Sequence, residues 1–241
     1  MRAQYLRPGE LLAIQDAFPV AYLPIGTLEW HGRHNPIGCD TIKAECLCIE
    51  AAKLTGGVVM PGLYFSADGF RDLGAGYAIG MDAVAGFQLP GSFYEINLEL
   101  LKQWTINACT NYLSRGFQLV VMVSGHNPPL QNDLFNEVCY RMKSPEGREP
   151  VVFTMEFAVI GADNPRRRTD HGAGYETSMM LHLTDRVNMK ANQGQEVESL
   201  AIGGDMDFKE ATTEEGRISF ELQIEGLVRF AREKYARLQH L

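Results

Sequence analysis

Leu119-Val120-Val121-Met122-Val123-Ser124-Gly125-His126-Asn127-Pro128-Pro129 reads as a strand running into a functional loop. Its first five residues are apolar without interruption, the pattern of a strand buried on both faces of a parallel sheet. The glycine and the two prolines end the strand and open a loop. Outward from this stretch, apolar runs of strand length recur at 19–25, 57–60, 117–124 and 151–158. Helical patterning occupies about 9–17, 41–54, 92–115, 129–143, 174–184 and 217–239. Such alternation predicts βαβ units, hence an α/β fold with a mostly parallel sheet covered on both faces. Ser92-Phe93-Tyr94-Glu95 fits a capping box at the start of the 92–115 helix, and Gly116 stands where a C′ glycine belongs. No repeat or interdomain linker is visible, so 1–241 is expected to be one domain.

Charge and composition narrow the function. The chain has 241 residues, a formal net charge of −8 and 45% hydrophobic residues, values that suit a soluble α/β enzyme. The negative balance argues against nucleic acid or an anionic membrane as partner. Arg166-Arg167-Arg168 is the only basic run. No apolar h-region opens the chain, and no run approaches the ~20 residues of a membrane span. Cys39, Cys46, Cys48, Cys109 and Cys139 show no Cys-x-x-Cys pairing, so reduced thiols and a cytoplasmic location are expected.

The strand at 19–25 leads to Glu29-Trp30-His31-Gly32-Arg33-His34-Asn35-Pro36-Ile37-Gly38-Cys39-Asp40. Extended backbone there would turn Glu29 and His31 to one side, a donor pair suited to zinc, manganese or iron. The strand at 117–124 delivers His126, and the one at 151–158 leads on to Asp170-His171-Gly172-Ala173-Gly174-Tyr175-Glu176-Thr177-Ser178. Ligands of open α/β sheets bind at the carboxyl ends of the strands. Three loops bringing His and carboxylate to that end therefore point to a metal centre.

These three segments resemble the motifs of the creatininase-like, metal-dependent amidohydrolases. The first is similar to Glu-x-His-Gly-x-His-Leu-Pro-x-x-x-Asp, with Asn35 in place of the leucine; the second keeps only the Gly125-His126 core of Asn-Gly-His-Gly-Gly-Asn. The third keeps the His171-to-Glu176 spacing of Asp-x-His-Ala-Gly-x-x-Glu-Thr-Ser. The resemblance implies a three-layer α/β/α fold, two divalent metals per chain and a homo-oligomer, often a hexamer. By it Glu29 and His126 hold one metal, His31 the other, Asp40 bridges both, and Glu176 completes the second site. Some members instead use a carboxylate two residues after the second-motif histidine. Pro128 stands there, so either Glu176 does this work or the second metal is weak or absent. The implied reaction is hydrolysis of a C–N amide bond of a small, cyclic, polar substrate. The alternatives are an oxidised cyclic sugar or inositol derivative, or a metal-binding homologue without turnover.

His171 is the expected general acid. His34 is the runner-up, as an outer-shell group or substrate contact, and Trp30 the expected substrate neighbour. Asp170 or Glu45 would accept from a ligating imidazole. Asp40 also fits an N-cap, and Glu176 a helix-start acid; the motif favours ligands for both. Residues 61–91, glycine-rich yet aromatic, are expected to form a lid or pocket wall. Residues 186–214 are expected to be an excursion packing on a neighbouring subunit.

Overall fold

In the computed structural model, which describes residues 1–240 apart from 73, 75 and 96, four parallel strands form the central sheet. They are β1 (Val20–Ile25), β2 (Val58–Val59), β5 (Leu119–Ser124) and β6 (Val151–Met155), in the order β2-β1-β5-β6. A two-stranded antiparallel hairpin, β3 (Phe70–Asp72) and β4 (Tyr77–Ile79), stands apart from it. The helices are α1 (Pro8–Ala17), α2 (Cys39–Thr55), α3 (Met81–Ala85), α4 (Leu98–Ser114), α5 (Pro129–Arg141), α6 (Gly174–Leu183) and α7 (Thr213–Gln239).

Alternation along β5 shows why three layers form. Leu119, Val121 and Val123 pack with Leu47 and Cys48 of α2, Met179 of α6 and Phe220 and Leu227 of α7. Val120 and Met122 pack on the opposite side, with Leu101 of α4 and Leu134 and Phe135 of α5. All five strand residues are fully buried. At ~1.5–3 kcal/mol for each buried aliphatic side chain, a strand used on both faces holds both helical layers.

The path of the chain positions the site. From β1 it crosses to β2 on one side, then returns past β1 to β5 on the other. Right-handed crossovers in opposite directions put α2 and α4 on opposite faces. Between the carboxyl ends of β1 and β5 the connections diverge, which leaves the crevice where α/β proteins bind ligands.

Several local expectations are corrected. The 92–115 helix begins at Leu98, capped by Asn97, whose side chain accepts from Leu100 N at 2.9 Å. Ser92 and Glu95 form no capping box. Ser92 Oγ accepts from Trp30 N at 3.1 Å, and Phe93 N donates to Leu28 O at 2.7 Å, so this stretch is tied to the first motif loop. Gly116 does take positive φ, +102°, after the helix. The strand expected to reach 158 ends at Met155, and a turn follows. Within the chain, and without bearing on the expected packing against a neighbouring subunit, residues 186–214 contact the site loops. Asn192 reaches His34, Leu200 O accepts from Trp30, and Gly203 pairs with His171.

Candidate metal centre

Asp40 is the hub. It lies in the first turn of α2 with a side chain 2% exposed, and the N-cap position belongs to Gly38. Its carboxylate turns away from the helix amides. Oδ1 stands 3.1 Å from His31 Nε2, and Oδ2 stands 3.1 Å from His126 Nδ1. Glu176 Oε2 is 3.3 Å from His31 Nε2, and Glu29 Oε2 is 3.1 Å from His126 Nδ1. One carboxylate thus separates two clusters, His31/Asp40/Glu176 and Glu29/Asp40/His126.

Close backbone approach makes this possible. A Cβ on Gly125 would lie 2.1 Å from Asp40 O, so only glycine lets the end of β5 meet the start of α2. Gly172 takes φ +59°, and a Cβ there would lie 2.9 Å from the His31 backbone.

The donors fit divalent cations. Two ligand atoms each ~2.1 Å from a shared ion stand about 3.0–3.4 Å apart for coordination angles between a right angle and tetrahedral. His31 Nε2, Asp40 Oδ2 and His126 Nε2 are also buried without a hydrogen-bond partner. His31 Nδ1 faces Glu29 O at 3.1 Å, which fixes its ring through a backbone carbonyl. That carbonyl takes the place expected for Asp170 or Glu45. Glu45 instead pairs with Arg2 at 3.5 Å. Asp170 accepts from Tyr175 N and Glu176 N at 2.7 and 3.0 Å, so it caps the start of α6.

The metal-free charge states show how strongly the groups feel one another. Burial opposes charge on His31, but Asp40 and Glu176 outweigh it and hold its pKa up at about 9. Against the same burial, Glu29 and Asp40 hold His126 well above the usual histidine range. Asp40 is held well below the usual carboxylate range despite burial, by His31 and His126. Burial and the nearby Glu176 push Asp170 up to about 6. Burial, helped by His31, lowers His171.

His171 stacks on His31 with ring centroids 4.4 Å apart, and its Nε2 donates to Trp30 O at 2.7 Å. That carbonyl requires the proton on Nε2, which leaves Nδ1 for chemistry. His34 does not reach the pocket. Its Nε2 meets Thr177 Oγ1 and its Nδ1 meets the Asn192 amide, each at 2.8 Å, so it clamps the first motif loop to α6. The indole of Trp30 also turns away: Nε1 donates to Leu200 O at 2.9 Å, and the ring packs with Leu89 and Ala201.

A cavity of about 240 Å³ opens over the cluster, lined by Glu29, Asp40, His126, Asp170, His171 and Glu176 among others. Its remaining side chains are polar except for Met81 and Pro128.

A sequence model described as Creatininase: Creatinine amidohydrolase matches residues 5–231. The chain belongs to the creatininase family. Its similarity to the creatinine amidohydrolase of Pseudomonas putida is 26% identity over 181 residues, 68% of this chain and 64% of that protein, just under two thirds of its length. A solved structure called "Creatininase Mn" superposes with a TM-score of 0.73 at 21% identity, covering 96% of this chain and 97% of that one. A mutant creatininase of "Zn-Zn type" gives 0.72 at 20% identity, with the same coverage. At these identities the structures establish a shared creatininase fold.

In this creatininase-family chain four polar groups at the centre were missed by sequence reading. Lys43, fully buried on α2, bonds to Glu176. Glu156 follows β6 and accepts from Asn127 Nδ2 at 2.8 Å. Asp68, from the glycine-rich 61–91 stretch, stands 3.8 Å from His126 Nε2. Tyr94 donates to Glu29 Oε1 at 2.6 Å. Lys43 alone left a signal: it shares the helical stripe of Ala44, Leu47 and Ala51, where an apolar residue is the norm.

Proposed function

We propose that this chain is a metal-dependent hydrolase that cleaves a C–N amide bond of a small, polar, cyclic substrate, like creatinine amidohydrolase. The observation that carries the reading is Asp40, with one oxygen turned to His31 and the other to His126, each at 3.1 Å. Glu29, His126 and Asp40 would hold a divalent ion, with zinc or manganese suited to such donors, and His31 and Glu176 present a second set of donors to Asp40. A divalent ion there supplies Lewis-acid polarisation of the scissile carbonyl and makes water acidic enough to ionise near neutral pH.

The residues of the chain supply the rest. His171 is held neutral by burial, with Nε2–H fixed on the Trp30 carbonyl. Its Nδ1 takes the proton of the attacking water and returns it to the leaving nitrogen. Tyr94 fixes the orientation of Glu29 through its hydroxyl. The small polar cavity selects a compact, hydrophilic substrate. A homo-oligomer would cover the exposed hairpin side chains Phe70 and Tyr77.

A second reading, an oxidised cyclic sugar or inositol derivative as substrate, is favoured by one feature. His126 and His171 carry the only rings among the described residues lining the cavity apart from Pro128, so no Phe, Tyr or Trp stacks on a flat heterocycle. The test is elemental analysis of protein purified without chelator, followed by assays of ring opening with creatinine and with an oxidised cyclic polyol. Retained divalent metal and turnover of creatinine support the first reading; turnover of the polyol alone supports the second. No metal bound, even after zinc and manganese are supplied, refutes both.

A further inference from the structure

The two clusters around Asp40 differ in one charge. Lys43 lies one helical turn after Asp40, with a side chain 2% exposed. Its Nζ donates to Glu176 Oε1 and stands 3.5 Å from Asp40 Oδ1 and from Glu156 Oε1. An ammonium so far from water persists only where carboxylates surround it, as these three do. Asp40 Oδ1 and Glu176 are the carboxylate donors of the His31 cluster. The remaining oxygen of Glu176, Oε2, already accepts from Gly172 N at 2.8 Å. A divalent ion on that side would share both carboxylates with a fixed positive charge only a few ångströms away.

The other cluster carries no such burden. His126 Nδ1 stands 3.1 Å from Glu29 Oε2 and from Asp40 Oδ2, and no Lys or Arg pairs with Glu29 or with the nearby Asp68 among the described residues. Asp40 Oδ2, on this side, is a buried acceptor without a hydrogen-bond partner.

We infer that Lys43 Nζ is the resident cation of the His31/Asp40/Glu176 cluster, so that the chain holds a single divalent ion, on Glu29, Asp40 and His126. This rests on the metal-dependent reading above. The ammonium orients Asp40 and Glu176 as a second ion would, but offers no Lewis acidity. Lys43 is thus a positioning residue, and Lewis-acid chemistry is confined to the Glu29 side.

The experiment is to load metal-free protein with excess Mn(II), remove unbound ion, count what remains by elemental analysis and record the paramagnetic resonance spectrum. The unaltered protein is expected to keep one ion per chain, with the hyperfine pattern of an isolated Mn(II). Lys43→Met, which keeps the length of the side chain and removes its charge, is expected to keep two, with the exchange-coupled spectrum of ions ~3.5–4 Å apart. A coupled pair in the unaltered protein overturns the inference and leaves the hydrolase reading standing. One ion in both proteins also overturns it, because Lys43 would then not be what excludes the second. No ion in the unaltered protein sinks both readings together. If Lys43→Met does not fold, the spectrum of the unaltered protein decides alone.

Discussion

Removing metal should steepen the pH dependence of stability. In the metal-free protein His31 holds its proton up to about pH 9, because Asp40 and Glu176 outweigh the effect of burial, whereas an unfolded histidine releases it near 6.5. A group with a raised folded pKa contributes its full stability below the unfolded value and loses it as pH climbs through the folded value. The window here is therefore pH 6.5 to about 9. At ~1.4 kcal/mol per pH unit, His31 alone removes ~3 kcal/mol across it, and His126, also raised, acts in the same direction. Urea unfolding of chelator-stripped protein should accordingly show its midpoint falling by roughly 1 M between these limits. With metal bound, the ligating His126 is already neutral in the folded state, so its share of the loss disappears while that of His31 remains, and the fall across this window should be shallower at fixed free metal. Stability of the stripped protein that stays level or rises from pH 6.5 to 9 would show that His31 does not meet the two carboxylates as described.

Other perturbations probe separate parts of the centre. Gly125→Ala puts a methyl group against Asp40 O and should cost ~1–3 kcal/mol in unfolding free energy, together with metal retention measured by elemental analysis. Retention unchanged would mean that this backbone contact does not set the site. His171→Ala should lower kcat by about 10²–10⁴-fold while leaving bound metal as it was, a split that steady-state kinetics and metal analysis resolve. Tyr94→Phe removes the hydroxyl that orients Glu29 and should weaken metal affinity by about 10–100-fold in a chelator competition. At acid pH the sign reverses. Burial lowers His34 to about 4, so stability is intact above 6.5 and drains as pH falls from 6.5 toward 4, which thermal unfolding in that range would show.

The layers were legible because their causes are local. Uninterrupted Leu119–Val123 could only be a strand covered on both faces, and the helical stripe of 41–54 needed such a surface to pack on. Glu29, His31, Asp40, His126, Glu176 and Asp170 announced themselves by residue type and spacing, and all line the cavity or pair with a residue that does. Trp30 and His34 stood in the same loop but face elsewhere. Their partners, Leu200 and Asn192, lie about 160–170 residues further along the chain, beyond the reach of any local pattern. Tyr94 was hidden by a capping-box motif that Asn97, nearer the true helix start, supplanted.

The sequence by itself determined which donors the chain owns, in what order, and at which end of the sheet they emerge, because hydrophobic periodicity and loop-breaking residues act within a few positions. Only the tertiary structure decided which charges meet. Lys43 and Glu176 are 133 residues apart, and their contact depends on how α2 and α6 pack over the ends of β1 and β5. Coulomb interactions in a buried site are governed by ångström-scale separations and by exclusion of water, and neither is written in the spacing of residues along a chain.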